Sequence, residues 1–145
     1  MNVIDQLKGI LASTFSLGTQ AQLAHWNVVG PRFVSLHKLF GNQYDELYGA
    51  ADAIAEYIRS KDTKVFAPGG LTTLARLSSI KEMMPTGLSE EKFIDGVIAG
   101  HDVLINLTKE CGDQAGEEGD TDTQNCMNER STSHKKMRWM LVSSR

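Results

Sequence analysis

The chain has 145 residues, a formal net charge of −3 and 41% hydrophobic side chains. This length predicts one domain over residues 1–145, and the acidic balance excludes a general attraction to nucleic acid or to an anionic membrane. No stretch approaches the roughly 18 consecutive apolar residues of a membrane span, and the N-terminal segment lacks the features of a signal peptide.

Two long helices are predicted in the first part of the chain. Asn2 is a favourable N-cap for the first. Its inward stripe is Ile4, Leu7, Leu11, Thr14, Gly18, Ala21, His25 and Val28. Gly30-Pro31 predicts a tight turn, because proline suits the first turn of a new helix and disfavours helical geometry in the preceding residue. The core stripe of the second helix is Phe33, Leu36, Phe40, Leu47, Ile54 and Ile58.

The rest of the chain predicts three more helices. After a connector over residues 60–70, leucine spacing indicates a short helix within 71–80. A third long helix follows Ser89 as its N-cap, and the polar stretch 112–122 is predicted to separate it from a fourth helix over 121–142. The sequence therefore predicts an all-α four-helix bundle with a short extra helix in the connection between helices two and three.

Cysteines and two of the histidines are assigned no chemistry. Cys111 and Cys126 form neither a CxxC metal motif nor a disulfide framework, so we expect a reduced, cytoplasmic protein. His101 and His134 lie on the third and fourth long helices without carboxylates at ligand spacing. We interpret both as structural or solvated.

Two histidines and two carboxylates in one stretch have the composition of a divalent-metal site. His25 and His37 are almost equally far from the turn between helices one and two, so antiparallel packing brings them level. Asp52 and Glu56 share a broad face of helix two with His37, but roughly 22 Å along the axis separates His37 from Asp52. One chain cannot bring both to one ion, whereas two chains related by a two-fold axis can. On spacing alone, packed histidines and a solvated carboxylate face remain the alternative.

The stretch HWNVVGPRFVSLHKLF, followed by YDEL and DAIAE, closely resembles the signature of the Dps family (DNA-binding proteins from starved cells). These are miniferritins of the ferritin-like superfamily, and the resemblance covers essentially the whole chain. It implies a homododecamer with a ferroxidase centre at each two-fold dimer interface. It also implies that His25 and His37 of one subunit, with Asp52 and Glu56 of its partner, bind iron. Either carboxylate could bridge a second iron.

The function implied by the resemblance is iron storage with protection against oxidative stress. Fe2+ would be oxidised, preferentially by hydrogen peroxide rather than oxygen, and Fe3+ would be stored in the hollow shell. Other divalent metals could bind in vitro. No glutamate stands three residues before any histidine, which argues against the Glu-x-x-His centre that other di-iron bundles build within one subunit.

Two other functions remain as alternatives: a DNA-compacting nucleoid protein with secondary iron binding, and a metal-free structural bundle. Phosphate affinity needs several cations in one patch. Lys8 is the only basic side chain before Arg32, and after Leu141 only Arg145 is basic. We therefore expect weak or absent DNA binding.

The resemblance also assigns roles outside the four ligands. Trp26 and either Tyr44 or Tyr48 would pack around the centre or intercept an oxidising equivalent. Asp45 and Glu46 would face the cavity and nucleate mineral, although Gly49 falls where an acidic residue is common. The segment 112–129 would border a three-fold pore for iron entry, unless it is simply a solvated acidic loop. Its candidate residues are Glu117, Glu118, Asp120, Asp122, Asn125 and Glu129, with Asn125 where relatives often carry aspartate.

Overall fold

The computed structural model describes residues 1–145, and its regular structure is entirely helical. The helices are α1 (Val3–Asn27), α2 (Phe33–Lys61), α3 (Leu71–Leu77), α4 (Glu90–Glu117) and α5 (Thr121–Val142). α1 packs along α2, α4 packs along α5, α1 also contacts α4, and the short α3 packs on α1. The predicted four-helix bundle with a short extra helix is confirmed. No helix combines the length and the apolar character that crossing a membrane requires.

Apolar side chains from all four long helices form one continuous core. The predicted stripe of α2 is buried except at its first residue, because Phe33 is 41% exposed. Phe33 begins α2 at the edge of the core and stacks instead on His37, with ring centroids 5.0 Å apart. The prediction that Phe33 is a core residue is therefore wrong.

The predicted N-caps of α1 and α4 are confirmed by hydrogen bonds. The Asn2 side chain accepts from the backbone N–H of Asp5 at 2.8 Å, and the Ser89 hydroxyl accepts from that of Lys92 at 3.2 Å. Each bond satisfies one of the backbone donors that a helix start leaves without a partner. The caps define where the two helices begin.

The predicted break after residue 112 is wrong, because α4 continues through Glu117. Its glycines lie against α5: a Cβ at Gly112 would be 3.3 Å from the Met127 Cβ, and one at Gly116 would be 2.5 Å from the Gln124 side-chain nitrogen. Close packing of two helices therefore explains glycines that otherwise disfavour helix. The turn comes later, at Gly119, whose φ of +75° ends α4.

The turn between α1 and α2 requires glycine. Gly30 has a φ of +147°, and a Cβ there would lie 2.4 Å from the Glu90 carboxyl carbon. The same carboxylate accepts a hydrogen bond from the backbone N–H of Arg32 at 2.8 Å. The start of α4 thus holds the turn in place, and this turn determines how the ends of α1 and α2 face each other.

Candidate metal centre

His25 and His37, called the histidine pair below, lie level with each other as the spacing predicted. His25 is in the last turn of α1 and His37 is near the start of α2. Their imidazole rings stack almost parallel, with centroids 3.8 Å apart and an interplanar angle of 13°. Both side chains are half-buried at the surface of the bundle.

Each ring of the histidine pair bonds to the backbone of the opposite helix. His25 Nδ1–H donates to the His37 carbonyl oxygen at 2.5 Å, and His37 Nδ1–H donates to the His25 carbonyl oxygen at 2.6 Å. A carbonyl can only accept, so both Nδ1 atoms carry the proton. In the neutral imidazole each Nε2 then keeps its lone pair. Hydrogen bonding of one ring nitrogen in this way orients histidines that bind metal through the other.

Aromatic side chains surround the histidine pair. Phe33 stacks on the outer face of His37, and the Tyr44 ring meets His25 edge-on at 5.3 Å. Tyr48 lies 5.8 Å beyond Tyr44. Its hydroxyl donates to the Gln22 side chain at 3.0 Å, and burial, followed by the proximity of Tyr44, raises the Tyr48 pKa.

Trp26 forms none of the ring contacts of this stack. The residue is 66% exposed, and Val29 and Val34, which are close to the histidine pair in sequence, are exposed as well. The tyrosines therefore pack near the pair within one chain, whereas Trp26 has most of its indole surface free of contacts.

Asp52 and Glu56, called the carboxylate pair below, are exposed and one turn apart on α2. The pKa of Glu56 is raised, first because its protonated form shares a hydrogen bond with Asp52 and then because of the Asp52 charge. Two carboxylates close enough to perturb each other in this way favour a shared cation. A groove lined by apolar side chains, including Phe15, Tyr48 and Leu74, borders Asp52.

The histidine pair and the carboxylate pair do not meet within one chain. α2 is a single continuous helix from Phe33 to Lys61, so roughly 22 Å separates His37 from Asp52 along its axis. No three His, Cys, Asp or Glu side chains of the chain are placed to hold one metal ion. A four-ligand centre built from these residues would need a second chain.

The acidic residues assigned to a pore differ in their contacts. Asp120 caps α5 by accepting from the Thr123 N–H at 3.1 Å, and it forms an ion pair with Lys61. Burial opposes ionisation of Asp120, but the bonds from Lys61 and Thr123 outweigh it and lower the pKa. Its charge is therefore largely used within the chain. The other five candidates form no ion pair: Glu117, Glu118, Asp122 and Glu129 are exposed acids, and Asn125 is exposed and neutral. Of these, the Glu118 carboxylate accepts a hydrogen bond from the Gln114 side chain at 3.4 Å.

The two candidate nucleation residues, Asp45 and Glu46, are exposed on α2. Burial lowers the pKa of the Arg130 guanidinium, and the nearby Glu46 charge opposes that shift. One of the two nucleation candidates therefore has a cation from α5 close to it.

A hydrogen-bond network in the core was missed by the sequence analysis. The Gln43 amide donates to the Met137 carbonyl at 3.0 Å, and its oxygen accepts from His101 Nε2–H at 2.9 Å. His101 Nδ1 is then the acceptor for His134 Nδ1–H at 3.0 Å. His134 Nε2 in turn accepts from Arg130 at 3.4 Å. The two histidines are fully buried, so the solvated interpretation is wrong and the structural one is confirmed.

The comparisons with known proteins agree on one family. The profile of the ferritin-like domain matches residues 4–143. A low temperature-induced protein of Nostoc sp. is 30% identical over 97% of this chain and 78% of its own length. A DNA protection during starvation protein of Agrobacterium fabrum is 29% identical over 96% of this chain and 85% of its own length.

Solved structures give the same result at the level of the fold. Dps from Bacillus brevis superposes with a TM-score of 0.91 at 28% identity, covering 97% of this chain and 93% of that one. Dps from Staphylococcus aureus superposes with a TM-score of 0.91 at 27% identity, covering 98% and 93%.

Proposed function

The chain belongs to the Dps family of ferritin-like proteins, and we propose that it oxidises Fe(II) at centres shared between two copies of itself. The family supports a role in iron storage and protection. The finer proposal is a ferroxidase that prefers hydrogen peroxide and stores ferric iron in a hollow dodecamer. The histidine pair and the carboxylate pair are its proposed ligands.

The bonding of the histidine pair is the observation that carries this proposal. Both Nδ1–H groups are engaged by backbone carbonyls, so the lone pairs remaining on neutral rings are on Nε2. Buried histidines without a ligand role usually have both nitrogens satisfied, as His101 and His134 do here. The histidine pair has one nitrogen per ring without a hydrogen-bond partner in the chain, which suits metal binding.

The separation of the two ligand pairs along α2 supports a centre that is shared between two chains. With roughly 22 Å between His37 and Asp52, a two-fold arrangement would let each chain give its carboxylates to the other's histidines. Exposed Trp26, Val29 and Val34 lie within four residues of His25 or His37 in the chain, and the apolar groove includes Asp52 in its lining. Both halves of the proposed centre thus border apolar surface that a second copy would cover.

The proposed chemistry asks little of the protein beyond binding. Two Fe(II) ions each give one electron, and one peroxide takes both electrons with two protons to become two waters. Imidazole and carboxylate ligands suit iron and leave positions open for oxidant and water.

We propose that protection, which the name of the Agrobacterium relative assigns to DNA, results here from removing Fe(II) and peroxide together. The net charge of −3 supports protection without direct DNA contact.

Iron oxidation measured after anaerobic loading tests the proposal. The parent should consume about two Fe(II) per peroxide, the ratio of a two-electron oxidant, with fast absorbance growth from ferric product. His25→Ala should slow this phase by at least roughly tenfold, because one ligand nitrogen is lost. Asn42→Ala, an exposed change on α2, the helix that carries His37, is the control and should match the parent. Equal rates in His25→Ala and the parent would refute the site.

A further inference from the structure

Gly41 lies one helical turn after His37 on α2 and faces the ring of His25. A Cβ built at Gly41 would be 2.9 Å from both Cε1 and Nδ1 of that ring. Ordinary contacts between such atoms are about 3.5–4.0 Å. A methyl group at position 41 and the present His25 ring therefore cannot both keep their places.

The His25 ring has little freedom to move away. His37 stacks on it at 3.8 Å, and Tyr44 meets it edge-on at 5.3 Å. Its Nδ1–H donates to the His37 carbonyl at 2.5 Å. Displacing the ring from α2 would lengthen this hydrogen bond, which is the contact that keeps the proton on Nδ1.

Gly49, on the same helix, provides a direct contrast. A Cβ at Gly49 would meet nothing within 4 Å. Glycine disfavours helix interiors wherever it occurs, because it loses the most backbone freedom. Replacing Gly49 by alanine should therefore simply stabilise α2, whereas the same replacement at Gly41 also introduces the steric conflict.

We propose that Gly41 is a positioning residue for metal binding: its missing side chain lets the His25 ring lie against α2, bonded through Nδ1, with Nε2 available to the ion. This rests on the proposed function, in which His25 is a ligand. It adds that a residue without any metal-binding atom determines the geometry of that ligand.

Titration with Co(II), a spectroscopic probe for Fe(II), tests the proposal in the assembled protein. Gly41→Ala should weaken Co(II) binding at least tenfold and alter the visible ligand-field spectrum. Gly49→Ala should bind within about twofold of the parent with an unchanged spectrum. If Gly41→Ala gives the affinity and spectrum of the parent, Gly41 has no positioning role. If the parent and His25→Ala titrate alike, the proposed centre itself fails, which is a separate result.

A denaturation cycle without metal tests the steric argument alone. Gly41→Ala should lower the denaturant midpoint when His25 is present. In the His25→Ala background, Gly41→Ala should instead raise the midpoint relative to His25→Ala alone. The rise should be about as large as that which Gly49→Ala produces in the parent. A rise of equal size in both backgrounds would show that His25 does not meet the added methyl, and would overturn the proposal.

Discussion

The buried network around His101 and His134 determines which nitrogen of each ring carries the proton. Because the Gln43 amide must donate to a carbonyl, its oxygen faces His101, and each later donor follows from that choice. Burial, with the charges of Arg130 and Arg138, lowers the His101 pKa to about 3. Burial, with His101 and Arg130, lowers the His134 pKa to about 2. A second proton on either ring would place two donors face to face.

Acid should therefore weaken folding through these two residues. In the unfolded chain both histidines regain an ordinary pKa near 6.5, so unfolding takes up protons as the pH falls below that value, and stability decreases from about pH 6.5 toward pH 3. At pH 5.5 the two sites should bind close to two protons on denaturation, roughly 1.8. Potentiometry during urea unfolding measures this uptake.

The control for this measurement is His101→Gln combined with His134→Gln. The uptake of the double variant at pH 5.5 should be smaller than that of the parent by nearly two protons, and a single substitution should remove about half of the difference. Contributions of the histidine pair cancel in the comparison. Identical uptake in the parent and the double variant would contradict the pKa assignment.

At the scale of single residues, the sequence predicts which side chains could bind metal better than it predicts which side chains contact each other. The level placement of His25 and His37 follows from their distances to one turn. The pairing of His101 with His134 does not, because the two residues lie 33 positions apart on different helices. The role proposed for Gly41 does not follow from local sequence either, because the ring that it accommodates belongs to His25 on α1. Such contacts depend on how helices pack, which local periodicity does not contain.

At the scale of elements, the turn between α1 and α2 matters most for the proposed centre, because it brings the two histidines level. Gly30→Ala should lower the free energy of unfolding by more than about 2 kcal/mol, from both the positive φ and the contact with Glu90. Gly69→Ala, where a Cβ meets nothing within 4 Å, should change it by less than about 0.5 kcal/mol. Chemical denaturation compares the two variants, and equal effects would rule out a special role for this turn.

Helix starts were predictable because they depend on neighbouring residues, as the Asn2 and Ser89 caps show. Helix ends were less predictable from the sequence. The end of α4 was placed too early because Gly112 looks like a break in sequence, yet in the structure it contacts Met127 of α5. The short α3 ends at Leu77, within the predicted range.

At the scale of the whole molecule, the proposed centre can be tested by mixing defective chains. His37→Ala and Asp52→Ala should each abolish fast iron oxidation. When the two are dissociated and reassembled together, a mixed two-fold dimer has one centre with both defects and one with neither. With random pairing about half the dimers are mixed, so roughly a quarter of the parental activity should return.

Mass spectrometry must first show that both variants enter the same assemblies. A centre contained within one chain predicts no recovery at all, because every chain remains defective. Complete mixing with activity no higher than that of each variant alone would refute the shared centre.

The two tryptophans of the chain have an optical consequence. Trp26 directly follows His25 and is 66% exposed in the single chain, while Trp139 on α5 is 63% exposed. Indole fluorescence shifts to shorter wavelength when a neighbouring protein displaces water, and bound paramagnetic ions quench it. With Trp139 replaced by phenylalanine, all indole emission would come from beside the histidine pair. A single stopped-flow experiment would then follow subunit association through the emission wavelength and iron binding through the emission intensity.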